Sequence, residues 1–168
     1  LMYYLSLQRG EGYKEGMDRL IKEKILSRPD VWKTPDDSLK VVGMAQMYDD
    51  LLSKSTPGKR LPDLKLPSTL LTSKKTRTGE FRLRGLRGDQ NYIMFVTDGC
   101  NVCAEQKEAA RRLVAENTRA KVLIVNVDDV LAYDPSLSAI LFDSFDLSTL
   151  PFILKTGKKA RIYRRYML

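Results

Sequence analysis

Apolar residues along this chain follow one period in its first third and another in its last two. In "YKEGMDRLIKEKIL" (13–26), Met17, Leu20, Ile21 and Ile25 fall at i, i+3, i+4 and i+8, one stripe of a helix. Arg28-Pro29 should end it, because the residue before a proline is pushed out of the helical region. "TPDDSLKVVGMAQMYDDLL" (34–52) opens with Thr34 as a cap, Pro35 suited to a first turn, and Asp36 and Asp37 to complement the helix dipole. Leu39, Val42, Met47, Leu51 and Leu52 then supply its apolar positions, with the methionines read as core fillers. The two stretches predict a helical hairpin over 13–53. Pro57, Gly58, Pro62 and Pro67 mark residues 53–68 as a linker leading into extended structure.

Beyond the linker the period shortens. "TRTGEFRLRGLRG" (76–88) alternates around Phe81 and Leu83 and predicts an exposed edge strand. "NYIMFV" (91–96) and "KVLIVNVDD" (121–129) are short and continuously apolar, as strands buried on both faces are. Between them, "CAEQKEAARRLVAEN" (103–117) sets Cys103, Ala110, Leu113 and Val114 on one helical stripe. Strand, helix and strand make a βαβ unit with a parallel sheet. Residues 136–145 predict a short amphipathic helix, and 151–166 two strands joined across Thr156-Gly157. The expected architecture is α/β: a helical segment over 1–55, then a domain over 56–168 with a central mixed sheet.

Composition narrows the function. The 168 residues are 43% apolar and 30% charged, an ordinary globular balance for one domain with or without an appendage. No apolar run approaches the roughly 20 residues of a membrane-spanning helix. The opening "LMYYLSLQRG" is too short in its apolar part, and lacks the basic lead, to be a signal peptide. It does not begin with Met, so a processed product is expected, with any export signal or membrane tether already removed. The net charge is +8. The densest basic run, "KTGKKARIYRR" (155–165), fits either a nucleic-acid contact or the solvated face of a β-hairpin. With no stacking motif or recognition helix beside it, the second reading is adopted and no nucleic-acid partner is expected.

Histidine is absent, which removes Ser-His-Asp and Cys-His nucleophile chemistry for want of a general base. Both cysteines of the chain lie in "TDGCNVC" (97–103). Such a pair is a structural disulfide, half of a metal site, or a redox couple. Two thiolates with neither histidine nor a second CxxC cannot complete a tetrahedral zinc site within one chain, so no metal is expected. Cys100 falls where the first buried strand turns into its helix, at the strand's carboxyl end, where parallel sheets place their functional crevice. There the free N–H groups and the helix dipole favour a thiolate. Cys103 lies one turn further in and should be less accessible. On this placement Cys100 would attack and Cys103 would resolve the mixed disulfide.

At these residues the sequence resembles the thioredoxin superfamily, and in particular the thiol–disulfide oxidoreductases exported to bacterial envelopes. "GKRLPDLKL" (58–66) is similar to that branch's Gly-x-x-x-Pro-Asp-x-x-Leu lead-in, and "FRLRGLRG" (81–88) to its segment before the central strand. "STLPFILKTGKKARIY" (148–163) looks like the superfamily's cis-proline loop and closing hairpin. The resemblance implies a thioredoxin-like sandwich over 56–168, and Cys100 and Cys103 as a catalytic, redox-active disulfide with no other cofactor. It also implies a cis Leu150–Pro151 bond that leaves the Leu150 backbone free to pair with an extended substrate. Protein thiols and disulfides would be the partners, with an unidentified electron donor or acceptor, in the periplasm or cell envelope.

Departures from the family pattern bear on activity. Gly99 stands where the family commonly has Trp, and "YIMFV" lacks the buried acid that many members use to move a proton. Thr97, Asp98 and Asp128 are the candidates for supporting groups. Asp98 would oppose a thiolate if close to it, and Asp128 reads either as a supporting acid or as a turn or cap residue. Only Met167-Leu168 follow the last strand, where the superfamily closes with a helix. Either the native chain continues, or something else covers that face; residues 13–53 are expected to pack there or to dock a partner. Two other functions stay open: a redox-inactive thioredoxin-like interaction module, and a thiol peroxidase, since Thr97-x-x-Cys100 matches part of the peroxiredoxin signature.

Overall fold

The computed structural model describes residues 11–28, 30–54, 56–88, 90–157 and 159–166. The opening "LMYYLSLQRG", Pro29, Ser55, Asp89, Lys158 and Met167-Leu168 lie outside the described residues, as do the side chains of residues 11–14 and 164–166. The chain divides after Lys54 into two compact units.

The first unit is a pair of helices. Helix α1 (Glu11–Leu20) continues through wider π-helical turns over Ile21–Leu26. Helix α2 starts at Pro35–Asp37, widens over Ser38–Val42 and runs on through Gly43–Ser53. Thr34 caps it as expected, its hydroxyl accepting the Asp37 N–H at 3.1 Å. Met17, Ile21, Ala45 and Leu52 are buried together, with Ile25, Leu26, Tyr48 and Leu51 packed against them. The apolar stripes are narrower than periodicity indicates. Leu20 turns outward, Leu39 is 77% exposed, and Met44 and Met47 are each 50% exposed, so those two methionines are surface residues and not core fillers.

The second unit is built on a six-stranded sheet in the order β2-β1-β4-β3-β5-β6. Its strands are β1 (Lys65–Thr72), β2 (Thr76–Arg82), β3 (Gln90–Val96), β4 (Ala120–Asn126), β5 (Phe152–Thr156) and β6 (Ile162–Tyr166). Only β3 and β4 run parallel, linked by helix α3 (Asn101–Glu116). The other neighbours are antiparallel. Two expectations are corrected. The supposed linker already forms β1 from Lys65, and Pro67 sits where β1 has β2 as its sole neighbour, β4 joining only from Thr69. A missing N–H is tolerated at such a place. The second buried strand stops at Asn126, because the Asn126 side chain caps a further helix, α4 (Val127–Tyr133), by accepting the Asp128 N–H. Asp128 and Asp129 thus open a helix and do not end a strand. Helix α5 (Pro135–Ser144) follows, capped by Asp134.

The middles of the central strands are apolar on both faces because each face meets a different core. Ile93, Phe95, Leu123, Val125, Phe152 and Leu154 join Val127, Val130 and Leu141 of α4 and α5 on one side. Tyr92, Met94, Val96, Val122 and Ile153 join Cys103, Ala110 and Val114 of α3 on the other. The period-2 alternation of a strand thereby feeds two helical layers. Phe95 anchors the first core, its ring 4.7 Å from Phe145 and 6.1 Å from Phe152.

Candidate active site

Three chain segments meet at one end of this sheet, where β3 and β4 finish and β5 begins. The register pairs Val96 with Asn126 and Phe95 with Phe152. The segment after Val96, the α4 cap and Pro151 are therefore neighbours by construction. Thr97 to Gly99 turn the chain from β3 into α3, and Gly99 has φ +67, a left-handed conformation that glycine adopts without strain. Cys100 is the N-cap of α3, and its Sγ accepts the Cys103 N–H at 3.1 Å. The two cysteines form a disulfide across Cα atoms 5.2 Å apart. Cys103 is buried at 1% exposure, whereas Cys100 is half-buried. Cys100 and Leu150 both pack against the core that contains Cys103, and the Leu150–Pro151 peptide is cis.

The three supporting candidates come together, though not around a thiol. Asp128 Oδ2 accepts the Thr97 hydroxyl at 2.7 Å and the Asp98 N–H at 2.8 Å. These bonds, the backbone one first, hold the Asp128 carboxyl below its ordinary pKa. Asn126 closes the ring: its Nδ2 donates to Asp98 Oδ1 at 2.9 Å while its Oδ1 accepts the Asp128 N–H at 3.1 Å. The Asp98 carboxylate is thus drawn toward the end of β4. The ring ties the turn before Cys100 to the cap of α4. On the opposite flank, buried Asp146 accepts from the N–H and hydroxyl of Ser148, shaping the loop that leads to Pro151. Asn126 and Asp146 were missed by sequence reasoning. Asn-x-Asp-Asp at 126–129 and Asp-x-Ser at 146–148 are cap and turn signals that could have found them.

A thioredoxin-like protein from Bacteroides caccae superposes on this chain with a TM-score of 0.54 and 13% identity, over 89% of this chain and 55% of that one. The chain has a thioredoxin-like fold. It spans little more than half the length of that B. caccae protein. A domain of a possible thiol-disulfide isomerase from Cytophaga hutchinsonii gives a TM-score of 0.47 at 14% identity, over 67% of this chain and 85% of the other. The C-terminal domain of an uncharacterized protein from Bacteroides fragilis gives 0.47 at 18% identity, over 69% and 94%. No family model and no curated protein matches the sequence.

Within this thioredoxin-like frame, the residue before the first cysteine has a local explanation. Open space surrounds the position a Gly99 Cβ would take, so its backbone conformation and not crowding is what disfavours a larger residue there. Among the described residues there is no group of three or more His, Cys, Asp or Glu side chains placed to hold a metal, and no helix long and apolar enough to cross a membrane.

Proposed function

We propose that this protein is a thiol–disulfide oxidoreductase that reduces or isomerises disulfides of other proteins, in the periplasm or cell envelope of a bacterium. One observation carries the reading: a half-buried Cys100 at the N-cap of α3, disulfide-bonded to a buried Cys103 one turn inward. In the reduced protein the Cys100 thiolate receives the same N–H contact and helix-terminal field that its sulfur has in the disulfide. It attacks one sulfur of a substrate disulfide, forming a mixed disulfide and expelling the other substrate sulfur as a thiolate. The Cys103 thiolate then attacks Cys100 Sγ, which releases the second substrate thiol and leaves Cys100–Cys103 oxidised. Two electrons pass to the substrate, and a dithiol donor restores the pair. The Leu150 backbone, at the same sheet end, would align an extended substrate segment. Thr97, Asp98 and Asp128 act by holding the turn that presents Cys100.

The test is a titration of Cys100–Cys103 in graded thiol/disulfide buffers together with turnover of a protein disulfide. A reversible transition between about −270 and −120 mV with turnover supports the proposal. A pair that never cycles favours a redox-inactive interaction module, and peroxide consumption without disulfide turnover favours a thiol peroxidase.

A further inference from the structure

The opposite end of the sheet holds a concavity of about 680 Å³, lined by Arg60, Arg84, Arg87, Gly88, Lys159, Ala160 and Arg161. Three segments build it: the lead-in before β1, the turn between β2 and β3, and the β5–β6 connection. Main-chain bonds lock them together. Gly58 N–H donates to Ile162 O at 2.8 Å, Leu61 N–H to Ala160 O at 2.9 Å, and Ile162 N–H to Lys59 O at 2.9 Å. Two guanidiniums are anchored on carbonyls, Arg84 Nε on Leu61 O at 2.6 Å and Arg161 on Gly58 O at 2.7 Å. Five cationic side chains converge, and the described lining residues include no acid. None of Arg60, Arg87, Lys159, Arg84 or Arg161 takes part in a salt bridge among the described residues.

We propose that this cleft is a binding site for a compact polyanion bearing two or more phosphate groups, either free or as the headgroup of a lipid. Holding like charges together costs free energy that a multivalent anion relieves. Each arginine keeps further N–H donors after its carbonyl anchor, in the fork that matches phosphate oxygens. The volume lies within the roughly 300–1,000 Å³ of small-ligand sites. An acidic peptide fits less well, because the edge at Ala160–Ile162 beside the cleft is already bonded to residues 58–61. No aromatic side chain is among the described lining residues to stack a base.

The experiment is calorimetric titration of the full chain with inorganic tripolyphosphate at physiological salt, alongside flotation with phosphatidylcholine vesicles with and without cardiolipin, whose headgroup carries two phosphates. Expected are one-to-one binding and a Kd raised about tenfold or more in Arg60→Ala/Arg87→Ala/Lys159→Ala, as loss of charge-assisted hydrogen bonds predicts. The three side chains are exposed, so the variant should keep its circular dichroism and melting temperature. Saturable tripolyphosphate binding identifies a free ligand as sufficient. Flotation on cardiolipin vesicles alone, lost in the variant, assigns the site to a lipid headgroup. Equal binding by wild type and variant, no binding of either probe, or tighter binding of polyglutamate than of tripolyphosphate overturns the proposal. Disulfide turnover is not part of this test, so its failure and that of the oxidoreductase reading are separable.

Discussion

The two ends of the six-stranded sheet treat charge in opposite ways. At the end carrying the thiols, the polar groups before Cys100 are spent on one another: Thr97, Asp98, Asn126 and Asp128 form a closed ring of hydrogen bonds. At the other end, Arg60, Arg84, Arg87, Lys159 and Arg161 share a cleft with no described acid to answer them. A saturated polar network fixes geometry and attracts little, whereas an unsaturated one attracts and waits for its partner. The same β3 supplies both, because its amino end follows the Arg84–Gly88 turn and its carboxyl end leads into Cys100.

The largest effect that would break this contrast is at the thiols. Cys100→Ser should bring protein-disulfide turnover down to the uncatalysed background. Cys103→Ser should instead accumulate a covalent mixed disulfide, visible as a reducible band on a non-reducing gel. Next in size is the core the two ends share. Phe95→Ala should cost about 3–5 kcal/mol in urea unfolding and weaken turnover and tripolyphosphate binding together. A variant that lost one and kept the other would show that the two ends are mechanically independent.

The closed ring is tested by Asp128→Asn. Its carboxyl pKa is lowered in the folded protein by the Asp98 N–H and the Thr97 hydroxyl. Its stabilisation is therefore fully present above the ordinary Asp value of about 3.9 and is lost as pH falls through the lower folded value. The melting-temperature gap between wild type and variant should be widest near neutrality and close in acid. A gap that is the same at all pH values would mean that the ring does not depend on the ionised carboxylate. The smallest effect lies outside both ends. Thr34→Ala should cost the helical pair about 1 kcal/mol and leave turnover and anion binding unchanged.

How much of this was legible depended on whether the signal was local. β3 and β4 could be read because both faces of each strand are buried in its middle, which makes Tyr92–Val96 and Val122–Val125 continuous apolar runs. The CxxC at the start of α3 could be read because spacing and helix onset are adjacent in sequence. β1 was hidden by Pro62 and Pro67, whose usual meaning is suspended where a strand has one neighbour. "VNVDD" reads as a continuing strand because it extends the apolar run, although Asn126 is a cap and the acids suit a first turn. The ring that uses them exists only because the parallel pairing sets Val96 beside Asn126, which no local pattern announces. The basic cleft is still less local: its cations come from three segments, and the run 155–165 alone does not distinguish a polyanion contact from a solvated hairpin face.

The strand order also sets a schedule for assembly. The β1–β2 and β5–β6 hairpins and the β3–α3–β4 unit each close locally, but β1 must find β4, and β3 must find β5, far along the chain. Such distant pairings are the slow ones, since chain entropy is lost before contacts reward it. During synthesis the β1–β2 hairpin is made first and waits, with the edge of β1 that bears Leu70 and Leu71 open, until β4 emerges. For that interval β1 is an unpaired strand edge in a half-made protein, the place where self-association would begin.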